Sequence, residues 1–295
     1  MPEISIDEER CTRCGGCVAV CTSAQVFEMG DATARAVRPE ECWLCGHCVA
    51  VCPVDAVRHG EYPLDACPVL ESPPSYEALI TAFRERRSLR VFRDKPVPRE
   101  TVRQLVDAAR WVPSASNQQP VDWIALDDPE RIGRLSDAVV TTMGRTAELL
   151  NMRILRPFLS LVYGRAKIRD AVEAAEDFDK LARAYARGDD PIFHRAPVVL
   201  AAHVPKGAFF GRDDAVYAAY NLMLAAERLG LGTCHIGYVN AALERNQRIL
   251  RILGLPAERQ LEVVLTLGYP RFTFRRAVPR RRMALVWNPP HEEGG

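Results

Sequence analysis

The sequence predicts two domains, a very small cysteine-rich one and a larger one that mixes helices with strands. Three observations support this organisation. Eight of the ten cysteines lie within residues 11–52, four prolines lie within residues 60–76, and the segment from residue 77 onward contains amphipathic helices followed by short apolar strands. The chain has 295 residues, of which 48% are hydrophobic, so the larger domain can form a true core. The smaller domain, about sixty residues long, buries too little apolar surface to fold securely by itself.

The eight cysteines form two copies of one motif that lie 31 positions apart. In each copy the cysteines are separated by two, two and three residues, and the residues between them repeat as well, since Gly-Gly-Cys-Val-Ala-Val-Cys is matched by Gly-His-Cys-Val-Ala-Val-Cys. This spacing places three thiolates on one tight loop and projects the fourth toward a second centre. The glycines at 15, 16 and 46 suit such a loop because they permit positive φ and a close backbone approach to sulfur.

The spacing therefore predicts two [4Fe–4S] clusters with crossed ligands. One cluster would be held by Cys11, Cys14, Cys17 and Cys52, and the other by Cys42, Cys45, Cys48 and Cys21. Zinc sites usually take cysteines as pairs separated by a longer loop, which this motif does not match. Disulfides would need an oxidising compartment, and no secretory signal precedes Cys11, so the expected location is the cytoplasm.

Residues 1–59 resemble the bacterial two-cluster ferredoxins over the whole length of the segment. One departure is Thr22, which stands where the first motif of that family usually carries a proline, whereas Pro53 follows the second motif. Because so small a domain lacks a large core, we expect cluster binding to supply part of its folding free energy. Without clusters, the domain should be largely unfolded.

The formal net charge of +1 is distributed unevenly. Residues 1–59 carry 9 acidic and 5 basic side chains, whereas residues 77–295 carry 26 and 34. An acidic small domain beside a basic larger one predicts an attractive docking face, and the excess of arginine suits an anionic cofactor. The arginines are spread widely, without aromatic interleaving or a helix-turn-helix pattern, which argues against nucleic-acid binding. No apolar run reaches the roughly 18 residues that a membrane span requires.

Residues 60–76 are predicted to form the connector between the domains. Four prolines in this segment disfavour both helix and sheet, so an extended and fairly stiff linker is expected. Cys67 lies within it but fits neither motif spacing. We therefore predict that this cysteine is structurally neutral, with a redox role as the alternative.

Three stretches of the larger domain carry its functional signal. A helix predicted over residues 76–86 runs into Arg-Arg-Ser-Leu-Arg at 86–90, and a helix predicted over 99–111 leads through Pro-Ser-Ala-Ser-Asn-Gln-Gln-Pro at 113–120 to a strand over 121–126. Farther along, an alanine-rich helix from Asp214 runs into a glycine-rich loop that ends at Gly237. Taken alone, the first stretch is more typical of a solvated basic helix end, whose cations complement the helix dipole.

In this order the three stretches resemble the nitroreductase family of FMN flavoproteins, over about residues 77–290 and more loosely between 141 and 190. The whole chain thus resembles a ferredoxin–nitroreductase fusion, with a ferredoxin domain at 1–59, a connector at 60–76 and a nitroreductase-like domain at 77–295. The resemblance implies an α+β fold in which helices flank a central, mostly antiparallel sheet. It also implies an obligate homodimer with one FMN in each of two sites at the subunit interface.

The resemblance assigns residues to the FMN phosphate and ring. Arg86 and Ser88 would hold the phosphate and ribityl chain, and Arg90 would lie at the N1–C2=O edge, where its cation favours reduced flavin. The ring would be lined, from the partner subunit, by Pro113, Ser114, Ala115 and Asn117.

Further positions are expected around the same flavin. Ile236 and Gly237 would bring backbone N–H groups near N5, and Arg280 and Arg282 would make a last phosphate contact. His235, beside the ring, is a candidate proton donor, whereas Cys234 is expected to be a small buried apolar residue. The helices between residues 141 and 190 would either cover the open flavin face, with Tyr163 and Arg165 as candidate substrate contacts, or wrap the dimer.

These expectations define a function. A one-electron donor such as reduced ferredoxin would load the clusters, which would pass electrons to FMN and on to a small organic acceptor bearing a nitro, quinone, activated C=C or carbon–halogen group. No Gly-x-Gly-x-x-Gly follows a predicted strand, so a bound NAD(P)H domain is not indicated. Two alternatives stay open: a non-catalytic electron carrier and a dehydrogenase that works in the oxidative direction.

Overall fold

A computed structural model describes residues 1–70, 72–152, 154, 157, 160–161, 164–243 and 246–288. In the small domain, β1 (Ile4–Ile6) pairs antiparallel with β4 (Val57–His59), and β2 (Phe27–Met29) pairs antiparallel with β3 (Ala34–Ala36). Two five-residue helices, α1 (Gly16–Val20) and α2 (His47–Val51), each follow a glycine with positive φ. The helices therefore start directly from the cysteine loops.

The small domain extends beyond residue 59. The N–H of Gly60 donates to the carbonyl of Glu3 at 2.9 Å, and a 3₁₀ turn follows at Leu64–Ala66. Leu64 and Cys67 pack against the core of the domain. The connector was therefore predicted to begin several residues too early. Its first two prolines are compatible with a 3₁₀ turn, and that turn packs on the small domain. Residues 68–70 and 72–75 carry no helix or strand.

The larger domain contains helices on both faces of one sheet. In chain order its elements are α3 (Tyr76–Glu85), α4 (Arg99–Ala109), β5 (Asp122–Leu126), α5 (Pro129–Asn151), α6 (Arg165–Ala186), β6 (Val198–Pro205), α7 (Gly211–Arg228), β7 (Gly232–His235), α8 (Gly237–Leu243), α9 (Arg248–Leu253) and β8 (Arg259–Gly268). The helices predicted at 76–86 and 99–111 and the strand at 121–126 are present, each within two residues of the predicted ends. The alanine-rich helix begins three residues before Asp214, at Gly211.

The sheet has the order β5-β6-β8-β7, and every neighbouring pair is antiparallel. This confirms the α+β architecture with a central antiparallel sheet. The two faces of β6 are buried by different helices, because Val199 and Ala201 pack in the core with α5 and α9, whereas Leu200 packs with α4 and α7. None of the described helices is long and apolar enough to cross a membrane.

Two apolar surfaces of the larger domain remain uncovered in a single chain. On α3, Leu79 and Phe83 are 42% and 38% exposed, although Phe83 also contacts the ring of Tyr220. After β8, residues 271–288 run without helix or strand and are exposed throughout.

The predicted helical cover at 141–190 consists of the second half of α5 together with α6, which pack against each other through Ala147, Leu150 and Ala175.

Candidate functional site

The structure brings the eight motif cysteines together as two crossed sets. One cavity is lined by Cys11, Cys14, Cys17 and Cys52, which we call the first-motif set. A second cavity is lined by Cys42, Cys45, Cys48 and Cys21, the second-motif set. Cys21 follows the C-terminal end of α1, which starts in the first loop, and there it reaches the second-motif set. Cys52 follows the end of α2, which starts in the second loop, and reaches the first-motif set.

The two sets suit an iron–sulfur cluster better than a single metal ion. Within the described residues, no three metal-binding side chains converge tightly enough to hold a mononuclear ion. The cavity of the second-motif set measures about 150 Å³ and that of the first about 20 Å³, so the first set would have to spread to admit a cube of four irons. Eight sulfur donors around two cavities match the ligand chemistry of two [4Fe–4S] clusters.

The electrostatics of these thiols couple ligand binding to proton release. Burial raises the pKa of Cys48 to about 12 and also raises the pKa of Cys17, with smaller contributions from neighbouring cysteines. Because the ligand form of cysteine is the thiolate, a cationic iron core would have to displace these protons. Metal binding thereby contributes to folding in a domain whose own core is small.

The second-motif set has neighbours that the sequence did not single out. His59 is 5% exposed, and its Nε2 lies 3.6 Å from the Sγ of Cys42. The ring of Tyr62 packs on that of His59 with centroids 4.9 Å apart. The Tyr62 hydroxyl donates to the carbonyl of Leu44, which also accepts from the side-chain amide of Asn117. The signal in the sequence was the repeat of the motif, because the strand that follows each motif brings one residue to a cavity, Met29 in the first half and His59 in the second.

The segment 86–90 lies along the edge strand β7. The N–H of Leu89 donates to the carbonyl of Thr233 at 2.8 Å, and Ser88 forms a bridge with Thr233. Leu89 is buried against Gly232, where an added Cβ would lie only 2.6 Å from a Leu89 methyl carbon. Glycine is therefore required at 232 for this close approach, which turns the side chains of Ser88 and Arg90 outward.

Three predicted phosphate and ring contacts converge near Cys234. Burial raises the pKa of the Cys234 thiol, while the charges of Arg90 and Arg86 and hydrogen bonds from Ser88 and Arg90 oppose that rise. Among the described residues, neither Arg86 nor Arg90 forms an ion pair with a carboxylate. Two cations and an exposed hydroxyl in one place fit an anionic group such as the phosphate of FMN.

The loop 113–120 stands apart from this group. Ser114 Oγ accepts from the N–H of Gln119 at 2.9 Å, and Ser116, Asn117 and Gln119 all have positive φ. Buried Asp214 accepts a hydrogen bond from the N–H of Ala115, and burial raises the pKa of this carboxyl. No hydrogen bond among the described residues joins the loop to 86–90, so their meeting across a dimer interface stays a prediction.

The remaining predicted flavin contacts have different outcomes. The N–H of Ile236 was expected to lie near N5, but it donates to the carbonyl of Val264 on β8 at 2.8 Å. Gly237 opens α8, and its N–H therefore has no acceptor within that helix. His235 ends β7 with an exposed side chain, and Cys234 is buried, as expected. Arg280 and Arg282 are exposed, without an ion pair to any described residue.

The proposed substrate contacts lie at the limit of the described chain. Tyr163 lies outside the described residues, and Arg165 is the first residue of α6.

Comparison with known proteins supports both domains. Residues 83–269 match the Nitroreductase family, and residues 4–59 match the 4Fe-4S dicluster domain. The chain is 28% identical over 223 residues to 4-nitrobenzoate reductase of Nocardioides sp. (strain LMS-CY), covering 70% of this chain and 86% of that protein. It is 29% identical over 211 residues to 5,6-dimethylbenzimidazole synthase of Rhodospirillum rubrum, covering 67% and 85%.

A solved structure shows the same fold. The nitroreductase of Bacteroides fragilis with bound FMN superposes with a TM-score of 0.53 at 16% identity, covering 71% of this chain and 98% of the other. The cofactors expected from the sequence, [4Fe–4S] clusters and FMN, are thereby supported.

Proposed function

The chain belongs to the nitroreductase family and carries a 4Fe-4S dicluster domain, and on that premise we propose that it passes electrons from a one-electron donor through two [4Fe–4S] clusters to FMN and on to an organic acceptor. The observation that carries the proposal is the arrangement of eight cysteines as two crossed sets, each around its own cavity, in a domain joined to a flavoenzyme fold. A ferredoxin-type domain supplies one-electron carriers, and flavin chemistry can deliver electrons in pairs.

In this proposal the first-motif set and the second-motif set each hold one cluster as four thiolates. Arg86 and Ser88 bind the phosphate end of FMN, supported by the clustering of their side chains near Cys234. Arg90 holds positive charge at the ring edge where reduction adds negative charge. The N–H of Gly237 is the remaining backbone donor for the ring, because that of Ile236 is bound to the sheet.

The other flavin residues are proposed to act across a homodimer. Pro113, Ser114, Ala115 and Asn117 would line the ring of the partner subunit's FMN, which agrees with the separation of this loop from 86–90 within one chain. Arg280 and Arg282 lie on the exposed chain that follows β8, so a phosphate contact from them would require that chain to reach a flavin site. His235 stays a candidate proton donor, since its side chain is exposed at the end of β7.

The overall reaction takes two electrons from two molecules of a one-electron donor such as reduced ferredoxin. The acceptor gains both electrons, and two protons from solvent complete the reduction of a quinone or activated C=C group; with a nitro group the same electrons and protons give a nitroso group and release one water. For a carbon–halogen bond the balance is one proton added and one halide released. A nitroarene reductase and a synthase occur among its relatives, so family membership alone leaves the acceptor class open.

An anaerobic screen tests the proposal. Protein with both clusters and FMN is reduced with dithionite and mixed with nitroarenes, quinones, enoates and halophenols, and flavin reoxidation is followed by absorbance. We expect rapid reoxidation by one class and slow reoxidation by the others. Flavin that is reoxidised only by protein partners would instead support an electron carrier, and net electron flow from a reduced organic substrate to ferredoxin would support a dehydrogenase.

A second measurement tests the route through the clusters. Cys14→Ala and Cys45→Ala each remove a ligand from one set, so each should strongly slow flavin reduction by ferredoxin in stopped flow. A small dye that reaches FMN directly should still support turnover. Equal ferredoxin-driven rates with and without intact clusters would contradict the proposed route.

A further inference from the structure

The two halves of the small domain are related by the sequence repeat but differ in what they contact. Arg13 and Leu44 occupy equivalent positions in the two cysteine loops, and both have positive φ, 60° and 53°. The carbonyl of Leu44 accepts from Asn117 of the larger domain, and the hydroxyl of Tyr62 donates to the same carbonyl. Among the described residues, no hydrogen bond or ion pair joins the loop of Arg13 to the larger domain. The second-motif loop is therefore the one that contacts Asn117, which belongs to the loop proposed to line the flavin.

His59 adds a second difference between the halves. Its Nδ1 accepts from the N–H of Glu61 at 3.2 Å, which leaves the ring proton on Nε2 and directs it at the Sγ of Cys42, 3.6 Å away. The backbone N–H of Leu44 donates to the same sulfur at 3.4 Å. In the other half the place of His59 is taken by Met29, because the residues that follow each motif correspond at an offset of 30, as the N–H of Val26 on Cys21 Sγ and the N–H of Ala56 on Cys52 Sγ show. Met29 lines the cavity of the first-motif set as His59 lines that of the second, and a thioether has no proton to donate to a ligand sulfur.

Hydrogen bonds to ligand sulfur tune the reduction potential of a cluster. An N–H group stabilises the state with more negative charge on sulfur, which is the reduced state, and so raises the potential. The His59 donor therefore favours an electron on the second-motif set over the first. This energetic order agrees with the spatial order, because the favoured site is also the one docked on the larger domain.

We infer that electrons leave the small domain from the second-motif set, through the contact of Leu44 with Asn117, and that the first-motif set receives them from the donor. The inference rests on the proposed function and adds direction to it. Each transfer moves one electron and no atom, and two successive transfers supply the pair that the acceptor consumes. Tyr62 and His59 act as positioning residues, since both act through the cysteine loop.

A redox titration followed by electron paramagnetic resonance tests the energetic part on the full chain with both clusters. His59→Leu removes the N–H donor, so the second-motif midpoint should fall by up to about tenfold in the one-electron equilibrium, or 59 mV, while the first-motif midpoint stays unchanged. His59→Gln, which places an amide N–H near the position of Nε2, should restore part of the shift. Met29→Leu, at the equivalent position beside the first-motif set, is the matched control and should leave the second-motif midpoint unchanged.

The signals are assigned with Cys14→Ser and Cys45→Ser, each of which perturbs one set. A first-motif midpoint above that of the second-motif set in the unmodified protein would overturn the inference. So would equal midpoints in the His59→Leu and unmodified proteins. Neither result would touch the proposed function, which fails instead if ferredoxin reduces the flavin equally well without clusters.

The docking contact is tested by the rate of electron transfer between the domains. Tyr62→Phe removes one hydrogen bond at Leu44 without altering the flavin loop, and Asn117→Ala removes the other. Stopped-flow reduction of the flavin by ferredoxin should slow several-fold in both variants. Gln118→Ala, an exposed neighbour in the same turn, is the control. Unchanged rates in both contact variants would overturn the assignment of Leu44 and Asn117 as the exit contact.

Discussion

The strands of the small domain are three residues long, whereas β6 and β8 of the larger domain have eight and ten. Leu200 and Leu265, on those two strands, are fully buried, and apolar helices cover both faces of the sheet. The small domain has a few buried apolar side chains, such as Val26 and Val57, and cysteines make up much of the rest of its core. The larger domain is thus stabilised by apolar burial, and the small one depends on what its cysteines bind.

Removal of iron should separate the two domains most clearly. Anaerobic chelation from the full chain should abolish amide protection across β1 to β4, because buried thiols cannot replace the metal–sulfur bonds. The strands β6 and β8 should keep their protection. Hydrogen–deuterium exchange read by mass spectrometry makes the comparison within one molecule, and persistent protection at Val26 and Val57 would show that the small domain folds without clusters.

Cys21→Ser should remove one cluster of the two. Because Cys21 lines the cavity of the second-motif set, the variant should lose that cluster and keep the one of Cys11, Cys14 and Cys17. Iron should fall from about eight to about four atoms per chain, and spin quantitation by electron paramagnetic resonance should identify the surviving centre. Cys67→Ser is the control, since Cys67 lines neither cavity. Loss of the first-motif signal with retention of the second would contradict crossed ligation.

In the larger domain, the corresponding test is a substitution that creates a cavity in the apolar core. Leu265→Ala at the centre of β8 should lower the free energy of unfolding by about 2–5 kcal/mol, because Leu265 has no exposed surface. Iron content should stay unchanged. Val216, on α7 and 42% exposed, provides the control, since its replacement by alanine should alter stability by less than about 0.5 kcal/mol. Urea unfolding followed by circular dichroism measures both, and equal losses would contradict the stated source of stability.

The features that the sequence predicted best are local. The spacing within each cysteine motif determines where its fourth cysteine points, so the crossed sets can be predicted from two short segments of four cysteines each. The amphipathic helices and β5 were likewise predicted within two residues of their ends. The extent of the small domain was harder to predict, because the start of the predicted connector packs on that domain.

Contacts between distant parts of the chain explain what the sequence missed. Leu44 and Asn117 are 73 positions apart, and nothing in either loop indicates that they meet. The N–H of Ile236 was predicted to lie near the flavin, but the register of β8 places the carbonyl of Val264 where it accepts a hydrogen bond from that N–H. His59 differs because the repeat of the motif allows the two halves to be compared, with Met29 at the first-motif cavity and His59 at the second. The difference becomes informative only when the structure places His59 against Cys42.

In the proposals above, the two domains tune reduction by different means, through N–H groups on sulfur in one and through a cation in the other. Arg90→Ala should leave FMN bound but lower its potential, because it removes positive charge facing the reduced ring. A shift of about 30 mV corresponds to tenfold in a two-electron equilibrium. Arg84→Ala, on exposed α3, is the control. Spectroelectrochemistry measures the shift, and an unchanged or raised potential would refute the role of Arg90.

The smallest expected effect comes from Glu227, a half-buried carboxyl near Arg86 and Arg87. Burial raises the pKa of Glu227. Two features oppose this rise: a hydrogen bond from the N–H of Arg87 to Oε1 at 3.4 Å, and the positive charges of Arg86 and Arg228. The folded state therefore holds this proton more tightly than the unfolded chain does. Its contribution to stability is present below the ordinary carboxyl pKa and is lost as pH rises toward the raised folded value.

Glu227→Gln keeps an acceptor oxygen for Arg87 and removes the charge. The variant should be more stable than the unmodified protein at neutral pH, by less than about 1 kcal/mol, and the difference should vanish as pH falls through the carboxyl range. Urea unfolding at a series of pH values measures this difference, with Glu77→Gln on exposed α3 as the control. A variant that is less stable at neutral pH would show that attraction by Arg86 and Arg228 outweighs the cost of burying the carboxylate. The opposite slope with pH would show that the folded state holds Glu227 as the anion.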